Sequence, residues 1–308
     1  MGLRIRTNVQ SLIAQRHLSN STANVARQQG KLASGRRINR AADDAAGLAI
    51  SEGLKADVRS LGQAKRNALD AVSLVQVAEG GLEEINNMMI RLRELSIQAA
   101  SDTIGSRERG YLNNEFMALK DEIDRVALST EFNGTRLLIG NKEVDESLLA
   151  SHNRSPLEIQ VGKDYLPGPD SLDSPNPINV IRISFDKFNA TTDGEGSLGI
   201  GNAQNSEGTS VLTKNFAQNS IDKLDEAMTK VASYRAKMGA FQNRLETNQS
   251  TLGIAIENLS VARSRIVDTD FAAESAELMQ QSIMQQAGAS VLAQANQAPQ
   301  IALKLLGS

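Results

Sequence analysis

At 308 residues the chain is long enough to bury a sizeable core in two or three compact units. With no Trp and only 3% aromatics, it has little from which to build a deep aromatic pocket, and with no Cys it can form neither disulfides nor thiolate metal sites. The net charge of −3 is unevenly spread: residues 1–40 carry eight Lys/Arg and no acid, whereas 266–308 carry Asp268, Asp270, Glu274 and Glu277 against Lys304.

In chain order, the arm 1–40 places Leu3, Ile5, Val9, Leu12, Ile13 and Leu18 in a thin apolar pattern. Its start, Met1-Gly2-Leu3-Arg4-Ile5-Arg6, lacks the apolar run of a secretory signal, so export would need a dedicated route. Arg4, Arg6, Arg16, Arg27 and Lys31 are dispersed without interleaved aromatics, which argues against a nucleic-acid surface and for an acidic segment of the same chain as partner. No run of about 18 apolar residues occurs, so no membrane span is expected.

From Leu54, steps of seven reach Leu61, Ala68, Val75, Leu82 and Met89, the repeat that keeps one helix stripe facing a partner along a rod. A second seam position is filled by Val58, Val72, Ile85 and Leu92 and interrupted by Lys65 and Glu79. This spacing predicts a bundle with coiled-coil-like packing, and a helix over 48–100 would run roughly 80 Å. A break at 101–105 precedes a third helix through Leu112, Phe116, Leu119, Ile123 and Val126. Asn133-Gly134 then signals a tight turn.

Five of the six prolines (Pro156, Pro167, Pro169, Pro175 and Pro177) fall in the middle of the chain. Alternating apolar residues predict strands at 157–161 and 179–185, and 190–209 reads as loop. Beyond it, Leu224, Val231, Met238, Leu245, Leu252, Leu259 and Ile266 repeat at seven and predict the returning helix. In the last arm Leu278, Met279, Ile283, Met284, Val291, Leu292, Ile301, Leu303, Leu305 and Leu306 are diluted by Ala, Gln and Ser. Such a helix cannot form a core alone. It is expected to pair with the first arm and to bury its remaining apolar faces against other copies.

No catalytic, cofactor or metal constellation is found. Gly194-Glu195-Gly196-Ser197-Leu198-Gly199 matches a dinucleotide fingerprint by letter, yet turn sequence follows where a phosphate cradle needs a helix. His17 and His152 lack partners at ligand or triad spacing. Asp43 and Asp44 read as helix-surface or intersubunit ion-pair groups, and Asp268 and Asp270 as the start of the last helix. The sequons at Asn153 and Asn189 are of a kind common by chance.

The run Leu32-Ala33-Ser34-Gly35-Arg36-Arg37-Ile38-Asn39-Arg40-Ala41-Ala42-Asp43-Asp44-Ala45-Ala46-Gly47-Leu48-Ala49-Ile50 resembles the N-terminal signature of bacterial flagellin. So does 67–98 with Arg91-Leu92-Arg93-Glu94-Leu95, while Val267-Asp268-Thr269-Asp270-Phe271, Gln294-Ala295-Asn296-Gln297 and Leu305-Leu306 resemble the C-terminal one. The expected fold is mainly α: a long antiparallel helical rod built from both chain ends, with a small β-rich central insert. The expected division is 1–40 with 267–308 as paired terminal helices of a filament's inner tube, 41–140 with 215–266 as the rod, and 141–214 as a short insert facing solvent.

The resemblance implies a structural, non-enzymatic subunit of a self-assembling extracellular filament for swimming, without cofactors. It also implies unfolded export through the flagellar type III apparatus with an export chaperone, and polymerisation at the tip beneath a filament cap. The filament-core contacts would be Leu3, Ile5, Val9, Leu12, Ile13, Leu278, Ile283, Val291, Leu292, Ile301, Leu303, Leu305 and Leu306. A host Toll-like receptor would grip Arg91, Leu95 and Glu115. The hook–filament junction protein is the nearest alternative, and the Ala-Ala-Asp-Asp-Ala-Ala-Gly-Leu run and closing Leu-Leu-Gly-Ser favour flagellin over it. A host-interaction protein would leave the terminal arms without a task, and an intracellular coiled-coil scaffold would not be secreted.

Overall fold

The computed structural model describes residues 8–140, 157–164, 179–185, 189–193, 197–201 and 209–306, with side chains up to residue 297. Leu3, Ile5, His152, Asn153, residues 194–196 and the side chains of Ile301, Leu303, Leu305 and Leu306 lie outside the described set. The elements are α1 (Val9–Ser34), α2 (Ala45–Ala100), α3 (Ser106–Ser129), β1 (Glu131–Phe132), β2 (Thr135–Arg136), β3 (Leu157–Gln160), β4 (Val180–Ile183), α4 (Lys214–Val267) and α5 (Phe271–Leu306). They fall into two compact units: Met1–Val58 with Glu257–Ser308, and Arg59–Ile256. α2 and α4 each contribute to both.

The larger unit has one continuous apolar core. On α2 Leu61, Ala64, Ala68, Ala71, Val75, Ala78, Leu82, Ile85, Met89 and Leu92 are buried in alternating steps of three and four, and Leu95 and Ala99 carry the buried face to the helix end. The expected second seam position is therefore corrected in part. Ile85 and Leu92 hold it as expected, three residues after the first seam, while earlier on the helix Ala64, Ala71 and Ala78 take that place beside Lys65 and Glu79. Those two are half-buried at the flank. α4 answers with Ala217, Leu224, Ala227, Val231, Tyr234, Met238 and Leu245, and α3 adds Phe116, Ile123 and Ala127. Alanine lets backbones approach while leucine and methionine fill the alternate layers, so the core needs few aromatics, with Phe116, Phe185 and Tyr234 among its buried residues.

α2 stops where the sequence breaks. Arg109 donates from Nε to the Ala99 carbonyl at 2.8 Å and from Nη2 to that of Ser101 at 2.9 Å, satisfying carbonyls that a helix end leaves open. After α3 the chain reverses in the β1–β2 hairpin, pairing Phe132 with Thr135. Asn133 and Gly134 stand at φ of 49° and 75°, the left-handed pair that matches strand twist in a two-residue hairpin. Leu137 and Leu138 then re-enter the core.

β3 and β4 pair antiparallel, Leu157 opposite Ile183 and Ile159 opposite Ile181. Ile181 and Ile183 face the core, while Arg182 reaches Glu158 at 2.7 Å on the other face. The segment read as loop is irregular but packed: Ala190, Leu198 and Ile200 are buried. Ala190 N–H donates to the Leu138 carbonyl at 2.8 Å, and Thr209 N–H to that of Ile200 at 2.9 Å.

Candidate assembly surface

In the smaller unit α1 and α5 lie antiparallel. Asn8 Nδ2 donates to the Ala295 carbonyl at 2.7 Å, Ser11 meets Asn296 at 2.7 Å, Gln285 meets Thr22 at 3.1 Å, and Lys31 pairs with Glu274 at 3.0 Å. Asn8 also caps α1, accepting from Ser11 N–H, and Asp270 caps α5, accepting from Ala272 and Ala273 N–H. The less exposed positions run at three and four: Ser11, Ala14, Leu18, Ser21, Val25, Gln28 and Leu32 on α1, and Glu274, Leu278, Gln281, Gln285, Gly288, Leu292 and Ala295 on α5. That seam is small and polar, with only a few leucines.

The larger aliphatics point elsewhere. Val9, Leu12 and Ile13 on α1 are about half exposed, as are Met279, Ile283, Met284 and Val291 on α5. A shallow groove of about 670 Å³ between the helices is lined by Ile13, Ala14, His17, Ala287, Gly288 and Val291 among others. Of the anticipated core contacts, Val9, Leu12, Ile13, Ile283 and Val291 thus stand outward, while Leu278 and Leu292 are half-buried in the pair's own seam. The basic and acidic arms do lie side by side, yet among the described residues they share a single ion pair, Lys31–Glu274.

The two arms are closed by the segment after α1. Gly35, at φ 67°, ends the helix in a left-handed cap. Arg37 N–H then donates to the Val267 carbonyl at 2.6 Å, its Nη2 to that of Ile266 at 2.7 Å, and Thr269 N–H to that of Gly35 at 3.1 Å. Asp43 and Asp44 are not helix-surface ion-pair groups. Asp43 accepts from the backbone of Asn39 and Arg40, which holds its carboxyl below the usual range, and Asp44 accepts from Gly47 N–H at 2.8 Å at the start of α2. Turn and cap duties answer the signature's paired acids better than catalysis would.

In the larger unit Arg91 meets Glu115 at 2.8 Å and Glu94 at 3.0 Å, all three exposed. Hydrogen bonding to Glu115 first, and to Glu94 second, holds the guanidinium above its usual range. Leu95 is fully buried in the core.

Sequence reasoning passed over Lys120, which is completely buried on α3. Its Nζ donates to the Thr209 carbonyl at 3.1 Å and lies 5.8 Å from the centre of the Phe116 ring, and neighbouring Asp124 accepts from the Thr192 N–H and hydroxyl at 2.7 Å each. Together they pin the loop onto the helix. Its charge partner follows at i+4, but nothing in the sequence marks the position as inward. Burial pushes the ammonium down to about 8 against the pull of Asp124 and Asp121. The folded chain therefore sheds this proton before the unfolded one does. The resulting stability is full above the ordinary lysine value of 10.5 and is lost as pH falls through about 8. Measured against Lys120→Met, the parent's unfolding free energy should gain roughly 2–3 kcal/mol between neutral pH and pH 11. Parallel pH curves in denaturant titrations would refute this.

Among the described residues no group of His and acids could hold a metal, and no helix is long and apolar enough to cross a membrane. Asn189 is buried and its Oδ1 accepts from Thr191 N–H and Oγ1, so that sequon is closed by the fold.

Residues 5–143 match the family model described as the bacterial flagellin N-terminal helical region, and 221–306 the bacterial flagellin C-terminal helical region. A flagellin of Bacillus subtilis is 38% identical over 99% of this chain and 100% of its own length. The chain belongs to the bacterial flagellin family. Among other flagellins and filament proteins, the flagellar filament 33 kDa core protein of Treponema phagedenis is 36% identical over 98% of this chain and 99% of its own. A solved structure assigned as a flagellar hook-associated protein of Vibrio parahaemolyticus superposes on 73% of this chain and 100% of its own with a TM-score of 0.53. At 13% identity it shares the fold alone; the flagellin models and relatives are what leave the junction-protein alternative not favoured. The flagellin family is one of structural proteins, and the filament its members build lies outside the cell.

Proposed function

We propose that this chain is the structural subunit of a helical flagellar filament for swimming, and that α1 and α5 line the filament's inner tube. The carrying observation is the inverted α1–α5 pair, whose internal seam is small and polar while Val9, Leu12, Ile13, Met279, Ile283 and Val291 face outward. Exposed aliphatics of this extent need cover, and a heterologous contact between copies supplies it without closing a ring. In this reading 41–140 and 215–266 form the surrounding helical layer and 141–214 faces solvent. Export as an unfolded chain through the type III apparatus, with an export chaperone and a filament cap, rests on resemblance to the family. Electron microscopy of purified chain seeded with filament fragments tests the core of the proposal. Seeds should lengthen, and a chain that stays dispersed would sink the reading.

The Arg91–Glu115 pair supports a second contact, with a host Toll-like receptor. A pre-oriented guanidinium on an exposed helix face is a frequent anchor in interfaces. Leu95, being buried, would act by holding α2 in place beneath Arg91. Substituting Arg91 or Glu115 with Ala should weaken receptor activation by the monomer by roughly tenfold. Unchanged activation by a variant lacking both would remove this contact and leave the filament assignment untouched.

A further inference from the structure

Among the described residues the exposed methionines are Met279 and Met284, at 65% and 43% accessibility, whereas Met89 and Met238 are fully buried. Met88, Met117 and Met228 are half-buried. Met279 stands one turn before the exposed Ile283 and Met284 two turns before the exposed Val291, so the two thioethers flank α5's outward apolar surface. A thioether's susceptibility to two-electron oxidants follows its exposure, and the sulfoxide product is polar where the parent group was apolar.

We propose that Met279 and Met284 form an oxidation-sensitive site that governs assembly: sulfoxide at these positions in the free chain bars it from joining other copies. This rests on the filament reading of the α1–α5 surface. The oxidant is a hydroperoxide. A sulfur lone pair attacks one peroxide oxygen, the S–O bond forms as the O–O bond breaks, and sulfur gives up two electrons. With hydrogen peroxide the remaining oxygen leaves as water once the proton has moved across. The reverse step needs a dithiol reductant, which becomes a disulfide while the oxygen departs as water.

The consequence is a matter of solvation. The S=O oxygen is a strong acceptor that binds water, and burying it against a neighbour's aliphatic surface strips that water away without return. In the assembled state the same sulfurs are covered, so the site is vulnerable chiefly before a subunit is added.

The full-length chain should be treated with hydrogen peroxide, mapped by peptide mass spectrometry, and offered to untreated seeds. Oxygen should appear first on the peptides bearing Met279 and Met284, and the concentration needed for elongation should rise by about tenfold or more. Methionine sulfoxide reductases should restore elongation in step with loss of that oxygen. M279L/M284L should elongate equally with and without peroxide, since Leu keeps the face apolar. Unimpaired elongation of the oxidised parent would overturn the proposal. So would reductase repair of both sulfurs without recovery, or equal peroxide damage to M279L/M284L. Should the untreated parent itself fail to elongate seeds, the filament reading would fall first, and this one with it.

Discussion

Removing residues 267–308 should yield a chain that no longer polymerises although its larger unit remains folded. The cut deletes α5 and with it every exposed aliphatic on that helix, and strips α1 of its partner. It touches no residue of the apolar core, which draws on positions between Ala68 and Leu245. Sedimentation of seeded samples should show soluble chain at every concentration tried, while circular dichroism loses signal for the terminal helices only. Deleting 145–210 has a different expected result. Ile183, Phe185, Leu198 and Ile200 would leave the core, so filaments should still form but melt at a lower temperature. If the insert deletion abolished assembly and the tail deletion did not, the assignment of surfaces would be reversed.

Phe116→Ala should be the most damaging single truncation among these residues. Phe116 is among the largest side chains with no exposed surface, and it packs where α3 joins the shared core beneath the Lys120 ammonium. Aromatic-to-alanine changes at such sites cost about 3–5 kcal/mol through lost transfer energy and a residual cavity. Leu69→Ala, at a position 42% exposed, should cost less than about 1 kcal/mol. Urea unfolding followed by circular dichroism would resolve the two. Equal midpoints would mean that α3 contributes little to the core.

The helices could be read from sequence because their apolar residues recur at intervals that only a helix brings to one side. Leu61, Val75, Leu82 and Met89 announced α2, and Asn133-Gly134 announced the hairpin because few residues tolerate left-handed backbone. The second seam of α2 is legible at Ile85 and Leu92 but not before them, because Ala64, Ala71 and Ala78 are too small to stand out against Val72 or Glu79. Lys120 was invisible for the opposite reason, since a charged side chain looks like surface until a carbonyl such as that of Thr209 is seen to meet it. The division of the terminal arms was half legible. Their apolar residues are evident, but which of them face inward depends on register: Leu278 and Leu292 turn towards α1, Val291 stands half-exposed on the groove it shares with Ile13, and Ile283 turns away. The turn and cap contacts of Asp43 and Asp44 could not be read from sequence, because a backbone cap leaves no trace in charge pattern.

The small, polar seam between α1 and α5 bears on how the subunit responds to temperature. If most of the apolar area of these helices is covered only on joining a neighbour, elongation carries a large negative heat-capacity change. Its driving force then fades on cooling, as the enthalpy of hydrating aliphatic groups turns favourable and offsets the entropic cost. Filaments built this way loosen in the cold while each subunit's larger core holds, so shedding of intact monomers precedes any unfolding.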